Sequence, residues 1–244
     1  PLGQKLITPS GSVFRYGLMG STVGVAASLY QSAVPTTGHQ SQAVVTTALA
    51  VGDTTINFRP TTNSLAANEL AGGTVLVEET DDLGHLYPIK SNTAAANDAD
   101  STLTLADGVT VQVAVAVAAG NVLTVMKSPW RNVVIHASPP TALPCGIPRI
   151  VIAAAAFGWL QTRGVSSYLV SGVHLIGQPL APSNAIDGSL GMKRKSGTAT
   201  IANAATTAVI THDLGSTPTL DNISIIMGEN PTNAIDALWV DTIT

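Results

Sequence analysis

The sequence predicts an all-β protein, with a β-barrel or sandwich body, an N-terminal arm and a small separate β unit at the C terminus. In residues 159–163, Trp159, Gln161 and Arg163 alternate with Leu160 and Thr162, and this period of two places alternate side chains on opposite faces of a strand. Valine occupies every odd position of residues 109–117, and this alternation favours a strand with one valine face. Compact turn signals at Gly52-Asp53 and residues 81–84 separate such runs.

The chain divides into four predicted regions. Residues 1–30 form an N-terminal arm that packs on a neighbouring molecule or on the body, and residues 31–192 form the β body. Residues 193–197 are interpreted as a hinge, and residues 198–244 as a distal β unit with four strand-like segments. Because a unit this small is marginal by itself, either it trimerises or the native protein continues beyond Thr244.

The body is expected to contain a series of short strands. Gly120-Asn121 supplies a turn between two of them. Residues 138–148 contain prolines at 139, 140, 144 and 148, so we expect a rigid crossover there and no central strand. Strands are predicted over residues 43–51, 54–58, 73–79, 85–90, 102–106, 109–117, 122–126, 130–137, 165–170, 173–176 and 189–192.

A hairpin over residues 150–170 is expected to organise the body. Its first half carries Phe157 and Trp159 with Gly158 between them, and a glycine inside a strand often marks a close backbone approach. The first interpretation is a core hairpin anchored by Trp159. The alternative is that Phe157, Trp159 and Arg163 face another protein as a subunit interface.

The composition favours a component of an assembly. Charged residues make up 11% of the chain, against roughly 25% in typical soluble domains. Charged residues other than Arg are depleted in interface cores, so a surface poor in charge fits a protein covered by partners. The net charge of −4 gives no basic excess for phosphate binding, and we expect no nucleic-acid partner. The cluster Lys193-Arg194-Lys195 is interpreted as a solvated linker.

No residue pattern predicts catalysis, a metal site, a cofactor or a membrane partner. The five histidines lack ligand spacing such as H-x-x-x-H, and no transmembrane segment is visible. Cys145, the one cysteine, allows no internal disulfide and is interpreted as an inert thiol. The carboxylates at positions 78, 79, 81 and 82 lie at a hairpin tip, where adjacent residues point to opposite faces, so we interpret them as solvated. We expect no enzyme activity.

The body resembles virion proteins of tailed bacteriophages that decorate, or cement, the capsid exterior. The resemblance covers the larger part of the chain. It begins with Phe14-Arg15-Tyr16, which precedes a passage rich in Gly and Ala. Residues 68–77 (NELAGGTVLV) and 84–89 (GHLYPI) are similar to a hairpin of such proteins, and residues 157–164 (FGWLQTRG) to their aromatic-Gly-Trp-x-Gln-Thr-x-Gly hairpin.

The C-terminal region resembles a small trimeric knob of phage head and tail fibres. Residues 196–201 (SGTATI), 211–218 (THDLGSTP) and 239–243 (WVDTI) carry this likeness. The usual His-Gly-Leu of the knob turn is His212-Asp213-Leu214 here, followed by Gly215. Because such knobs continue for another strand or two, the resemblance implies that the knob is incomplete.

The resemblance implies a homotrimer on the exterior of the virion capsid, made in the host cytoplasm and bound to the major capsid protein near threefold positions. Phe14, Arg15 and Tyr16 would contact the capsid, and the knob would point outward, where it could bind a host-surface ligand. The alternative is a tail-fibre or baseplate adhesin that binds a host receptor. A capsule depolymerase would need a longer β-solenoid and a carboxylate-lined cleft, which we do not find in the sequence.

Overall fold

The structure, a computed structural model, is all-β, as the sequence predicts. It describes residues 1–44, 47–78, 83–174 and 179–192. The predicted hinge and distal knob lie outside the described residues, together with the predicted knob turn at His212, Asp213, Leu214 and Gly215.

The regular secondary structure of the described residues consists of short strands. In chain order they are β1 (Lys5–Ile7), β2 (Val13–Leu18), β3 (Tyr30–Gln31), β4 (Gln42–Val44), β5 (Thr55–Phe58), β6 (Thr74–Glu78), β7 (Leu86–Asn92), β8 (Ser101–Leu105), β9 (Ala118–Met126), β10 (Val134–Ile135), β11 (Pro144–Pro148), β12 (Phe157–Arg163), β13 (Leu180–Pro182) and β14 (Leu190–Met192).

The strands form two antiparallel six-stranded sheets and a separate β13–β14 pair. The first sheet has the order β1-β2-β12-β11-β3-β10, and the second has the order β4-β9-β6-β7-β8-β5. All strands of the second sheet come from the chain between β3 and β10, so this sheet is an insertion into the first. Its outer strands β4 and β5 contact each other, which brings it close to a closed barrel.

Each sheet has its own hydrophobic core. In the second sheet, alternate residues of each strand point inward, and Val75 and Val77 of β6 are fully buried. The core of this sheet is the larger of the two and includes Ile56, Phe58, Leu103, Leu123 and Val125. The core of the first sheet consists of Met19, Tyr30, Val133, Cys145, Ile152 and Leu160, with Trp130 and Ala156 packed against it.

Residues 1–30, the predicted arm, pack on the body. Strand β2 lies between β1 and β12 in the first sheet, and Gly24 forms an antiparallel bridge with Ile152. This part of the chain therefore supplies two strands of the first sheet and one side of a bridge beyond it.

The expectation of no central strand within residues 138–148 is wrong, because β11 lies between β12 and β3. The prolines of this strand, Pro144 and Pro148, occupy its two ends, where their missing N–H groups interrupt the ladder least. Between them, Gly146 pairs with Tyr30 and Ile147 pairs with Gln161. The prolines indicate only the local conformation, whereas the strands that pair with β11 come from distant parts of the chain.

Several further strand predictions fail in whole or in part. Among the described residues, only 43 and 44 of the predicted strand 43–51 and only 134 and 135 of the predicted strand 130–137 lie in strands, and residues 173 and 174 of the predicted strand 173–176 lie in none. Residues 109–117 form no continuous ladder: Val111 and Val115 make isolated backbone bonds to Asp53 and Leu49. These two valines are buried, so part of the predicted valine face packs in the core although no strand forms. The predicted returning strand over residues 165–170 is absent from the described chain except for one bridge at Val170, because β12 pairs with β2 and β11 instead.

Candidate interaction surface

Three aromatic rings pack together on one face of the first sheet, where β2 lies beside β12. Trp159 and Tyr16 are directly opposite in the register, with ring centroids 5.1 Å apart and planes tilted by 56°. The ring of Phe157 stacks on Tyr16 at 5.6 Å, with an interplanar angle of 6°. We call Tyr16, Phe157 and Trp159 the aromatic face. The structure thus brings a residue of the predicted capsid contact beside two residues of the predicted subunit interface.

A pair of glycines explains why the rings lie on the outer side of the sheet. Gly17 and Gly158 are opposite each other and alternate with the aromatic residues, so their α-carbons face the core. A Cβ on Gly158 would lie 2.4 Å from Cδ1 of Ile152, a distance that no real contact allows. Ile152 therefore packs directly on the backbone of β12, and the aromatic side chains point away from it.

The aromatic face is open to solvent. Phe157 is 56% exposed, and Tyr16 and Trp159 are half-buried. Leu160 and Gln161 are the buried residues of β12, and Leu160 belongs to the core of the first sheet, so it takes the core position that the first interpretation assigned to Trp159. Contiguous exposed apolar surface is typical of interaction sites, and aromatic residues are enriched in their centres.

The other predicted contact residues divide between the two faces of the sheet. Phe14 shares the face of Tyr16 by alternation and is half-buried. Arg15 lies opposite Leu160, on the other face, and its Nη1 donates to the carbonyl oxygen of Gly3 at 2.8 Å. Arg163 is exposed, follows a bulge and lies opposite Val13, on the same side as Arg15. The two arginines therefore do not join the aromatic face.

Two leucines that the sequence analysis did not single out extend this apolar surface. Leu6 lies opposite Phe14, and Leu18 lies opposite Phe157. Leu6 is exposed, although Leu18 is half-buried. Only the pairing register identifies Leu6, because β1 has three residues and is too short for its alternation to be recognised. Leu18 follows Phe14 and Tyr16 by alternation along β2.

A second exposed apolar surface lies where residues 23–25 run beside residues 150–152, joined by the isolated antiparallel bridge between Gly24 and Ile152. Gly24 and Ile152 exchange backbone hydrogen bonds of 2.7 and 2.9 Å. The Tyr30 hydroxyl accepts a hydrogen bond from the Val25 N–H and donates one to the Val23 carbonyl oxygen, which holds residues 23–25 in place. The exposed side chains of these two segments are those of Val23, Val25, Ile150 and Val151.

The polar side chains of the described residues offer no obvious reactive group. Cys145 is buried, and its Sγ donates to the Pro129 carbonyl oxygen at 3.1 Å. Burial raises the pKa of this thiol to about 12, so it is protonated at neutral pH and is a poor nucleophile. Among the described residues, no three histidine, cysteine or carboxylate side chains converge as a metal site would require.

Comparison of the chain with protein-family models, with curated proteins and with solved structures finds no match. Within the described ranges, no helix has the length and apolar character needed to cross a membrane.

Proposed function

We propose that this chain is a structural protein of a phage virion, a decoration protein that binds the outside of the capsid and stabilises the mature shell. The observation that carries the proposal is the aromatic face, an exposed stack of rings on a rigid sheet. The small fraction of charged residues and the likeness of the body to phage decoration proteins support the same function. The partner is the major capsid protein, and the chain acts as a homotrimer with its C-terminal region outward.

The aromatic face has the properties of a binding centre. Tyr16 contacts the rings of both β12 aromatics, so the side chains are held in place before a partner arrives. Pre-ordered side chains lose less conformational entropy on binding, and truncating a central aromatic residue commonly costs more than 1 kcal/mol of affinity. The neighbours Leu6, Phe14 and Leu18 are uncharged, so the complementary patch on the capsid protein is expected to be apolar.

A decoration protein stabilises its shell by mass action. If it binds the expanded lattice and not the precursor, each bound copy lowers the free energy of the mature form. A trimer that contacts several capsid subunits at once gains avidity from contacts that are individually weak. Three small aromatic faces on one assembly can therefore provide tight binding without a large interface on each copy.

Occupancy of purified capsids tests the proposal. Deleting residues 1–30 would remove two strands of the first sheet, so a point substitution is the sharper experiment. The substitution Phe157→Ser removes the most exposed ring of the aromatic face, and Leu86→Ser on β7 is the matched control, because the two side chains are 56% and 52% exposed. Mature capsids without this protein are incubated with each variant, and bound copies are counted by quantitative mass spectrometry.

We expect Phe157→Ser to weaken binding by about tenfold or more and Leu86→Ser to bind like the wild type. Failure of the wild-type protein to bind capsids would overturn the proposal. Equal binding by all three proteins would overturn the assignment of the aromatic face. Copy number on the virion distinguishes a decoration protein from the alternative, a tail adhesin, because an adhesin is present in few copies and a decoration protein in many.

A further inference from the structure

The second exposed apolar surface lies on the other side of the core from the aromatic face. We call the exposed side chains of Val23, Val25, Ile150 and Val151 the aliphatic surface. Ile152 is 6% exposed and points towards β12, where it packs against the backbone of Gly158. By alternation its neighbour Val151 points the opposite way, into solvent, whereas the aromatic rings point outward from the far side of β12. The two surfaces therefore face in opposite directions, and both can be covered at the same time.

Close packing beneath this surface turns its valines outward. Gly24 and Ile152 exchange both backbone hydrogen bonds, so the next pair along the two segments is Val25 and Val151, which share no backbone bond. Side chains in a pair of this kind lie especially close together. A Cβ on Gly24 would lie 3.3 Å from Cβ of Ile152, so the backbone of Gly24 rests on the core and the valines on either side of it point into solvent.

The aliphatic surface is ordered before a partner arrives. The Tyr30 side chain is buried, and its hydroxyl bonds to the backbone of both Val23 and Val25. Pre-ordered groups lose less conformational entropy on binding. On the other segment, neither backbone group of Val151 has a hydrogen-bond partner among the described residues, so this side of the surface is an open edge.

The size of the aliphatic surface matches the centre of a stable interface. Its four residues are 48% to 72% exposed. Together they present roughly 300–400 Å² of apolar area. A standard interface buries about 800 Å² on each partner, and a little more than half of that area is apolar. The aliphatic surface therefore supplies most of the apolar area that one side of such an interface needs.

The absence of charge around this surface indicates which partner fits it. Both of its segments belong to stretches, residues 16–52 and 150–162, that contain no Lys, Arg, Asp or Glu. Interfaces between identical chains are more apolar than other interfaces. In a closed symmetric oligomer, a patch next to the symmetry axis meets the same patch of the other copies. An uncharged aliphatic surface can meet its own copy without like-charge repulsion, so a second copy of this chain is the partner that fits.

We propose that copies of this chain contact one another through the aliphatic surface, with Val25 and Val151 of each copy facing those of its neighbours. The inference rests on the proposed function for the number of copies, three, and not for the contact itself. In this arrangement the aromatic face of every copy points away from the contact and stays free for the capsid protein.

Cross-linking of the purified full chain tests the contact without any capsid. Val151→Cys and Val51→Cys are matched, because both valines are 67% exposed and Val51 lies between β4 and β5 of the second sheet. Cys145 is buried and does not compete for a thiol reagent. Each variant is treated at micromolar concentration with a short bismaleimide, and covalent dimers are measured by denaturing electrophoresis.

We expect at least about tenfold more covalent dimer for Val151→Cys, because a stable contact raises the effective concentration of the two thiols towards millimolar. Equal yields from the two variants, or no dimer from either, would overturn the proposal.

A second substitution separates a specific contact from random collision. Val25→Lys places a charge opposite position 151, where it would be buried in the contact and would repel its copies. Added to Val151→Cys, it should lower the yield of covalent dimer about tenfold, whereas Val51→Lys in the same background should leave the yield unchanged. A nearby ammonium group favours the thiolate, so loss of thiol reactivity does not explain a lower yield.

Val25 is 50% exposed, so Val25→Lys should fold, and an unchanged near-ultraviolet circular dichroism spectrum checks this. An equal yield with and without Val25→Lys would contradict the contact. Cross-linked protein that fails to bind capsids would overturn the proposed function and leave the contact between copies standing.

Discussion

Tyr16 and Phe157 stack nearly parallel across the β2–β12 pair, with their ring centroids 5.6 Å apart. The two residues lie far apart in the sequence, and their contact joins the N-terminal strands to the aromatic strand β12. Offset stacking of this kind contributes about 0.5–1.5 kcal/mol beyond the area it buries. The stack therefore orders the rings while leaving much of Phe157 exposed for a partner.

The glycine pair beneath the rings provides the first prediction. Gly158→Ala places a Cβ 2.4 Å from Cδ1 of Ile152, in the core, and should lower the free energy of unfolding by about 1–3 kcal/mol. Gly17→Ala is the matched control, because its nearest atoms would lie 3.4 Å away; it should cost less than about 1 kcal/mol. Urea denaturation of both variants measures the difference, and equal stabilities would contradict the close packing of Ile152 on β12.

The burial of Cys145 predicts an unreactive thiol. Because its pKa is raised to about 12, little thiolate exists at neutral pH, and the surrounding core blocks access to a reagent. The native protein should react with Ellman's reagent no faster than it unfolds, whereas the denatured protein should react at once. Rapid labelling of the native chain would show that the thiol is exposed or activated.

Two ion pairs with different burial should contribute differently to stability. Lys127 Nζ lies 2.5 Å from Glu69 Oε1, and both side chains are less than one-fifth exposed. Arg59 and Asp100 are separated by 2.8 Å, but both side chains are about one-third exposed. Lys127→Met should cost about 1–3 kcal/mol because it removes the cation from a largely buried carboxylate, and Arg59→Met should cost less because its ion pair is open to solvent.

Thermal and urea denaturation at neutral pH measure these two costs. The Lys127 variant should also become less sensitive to acid near the pKa of Glu69. Burial raises this pKa, but the hydrogen bonds from Lys127 and the Ala66 N–H outweigh burial and lower it overall. The stability that this carboxylate contributes is present above its unfolded pKa and is lost as the pH falls through its folded pKa. A larger loss of stability at neutral pH in Arg59→Met than in Lys127→Met would contradict the ranking of the two ion pairs.

His39 should make the second sheet less stable in mild acid. Burial lowers the pKa of His39, and its Nε2 lies 3.2 Å from the Asn63 carbonyl oxygen. Above pH 6.5 the ring is neutral in both states, so the full stability is present. As the pH falls from this unfolded value towards the lowered folded pKa, the unfolded chain binds a proton that the folded chain does not, and stability is lost.

The variant His39→Gln keeps a donor in this position and removes the titration. The stability advantage of the wild type over this variant should therefore shrink between about pH 7.5 and about pH 5. Urea denaturation at the two pH values, followed by the exchange of the Val125 N–H that bonds to the His39 carbonyl, reports on this site. An advantage that is constant with pH would show that His39 titrates alike in both states.

The local parts of the fold could be predicted from the sequence. The β6–β7 hairpin is confirmed, because alternation over both strands and the turn signal at residues 81–84 act within a short stretch. The predicted strands near β8 and β14 are confirmed for the same reason. The turn predicted at Gly120-Asn121 is wrong, because these residues lie inside β9. The register between β9 and β4 shifts at this point, and the Asn121 side chain donates to the Ala116 carbonyl oxygen.

The aromatic face could be predicted only in part. Alternation around Trp159 indicates a strand, but it does not reveal which neighbour pairs with it or which side is covered. The partner β2 and the covering residue Ile152 are set by long-range pairing. The separation of Arg15 and Arg163 from the rings follows from the same register, including a bulge after Gln161 that the sequence does not announce.

Electron cryo-microscopy of the intact virion tests the central claim most directly. The account predicts this chain on the outer surface of the mature capsid, with Phe157 and Trp159 within about 4.5 Å of atoms of the major capsid protein. A chain found only in the tail, or bound to the shell with the aromatic face turned to solvent, would contradict it.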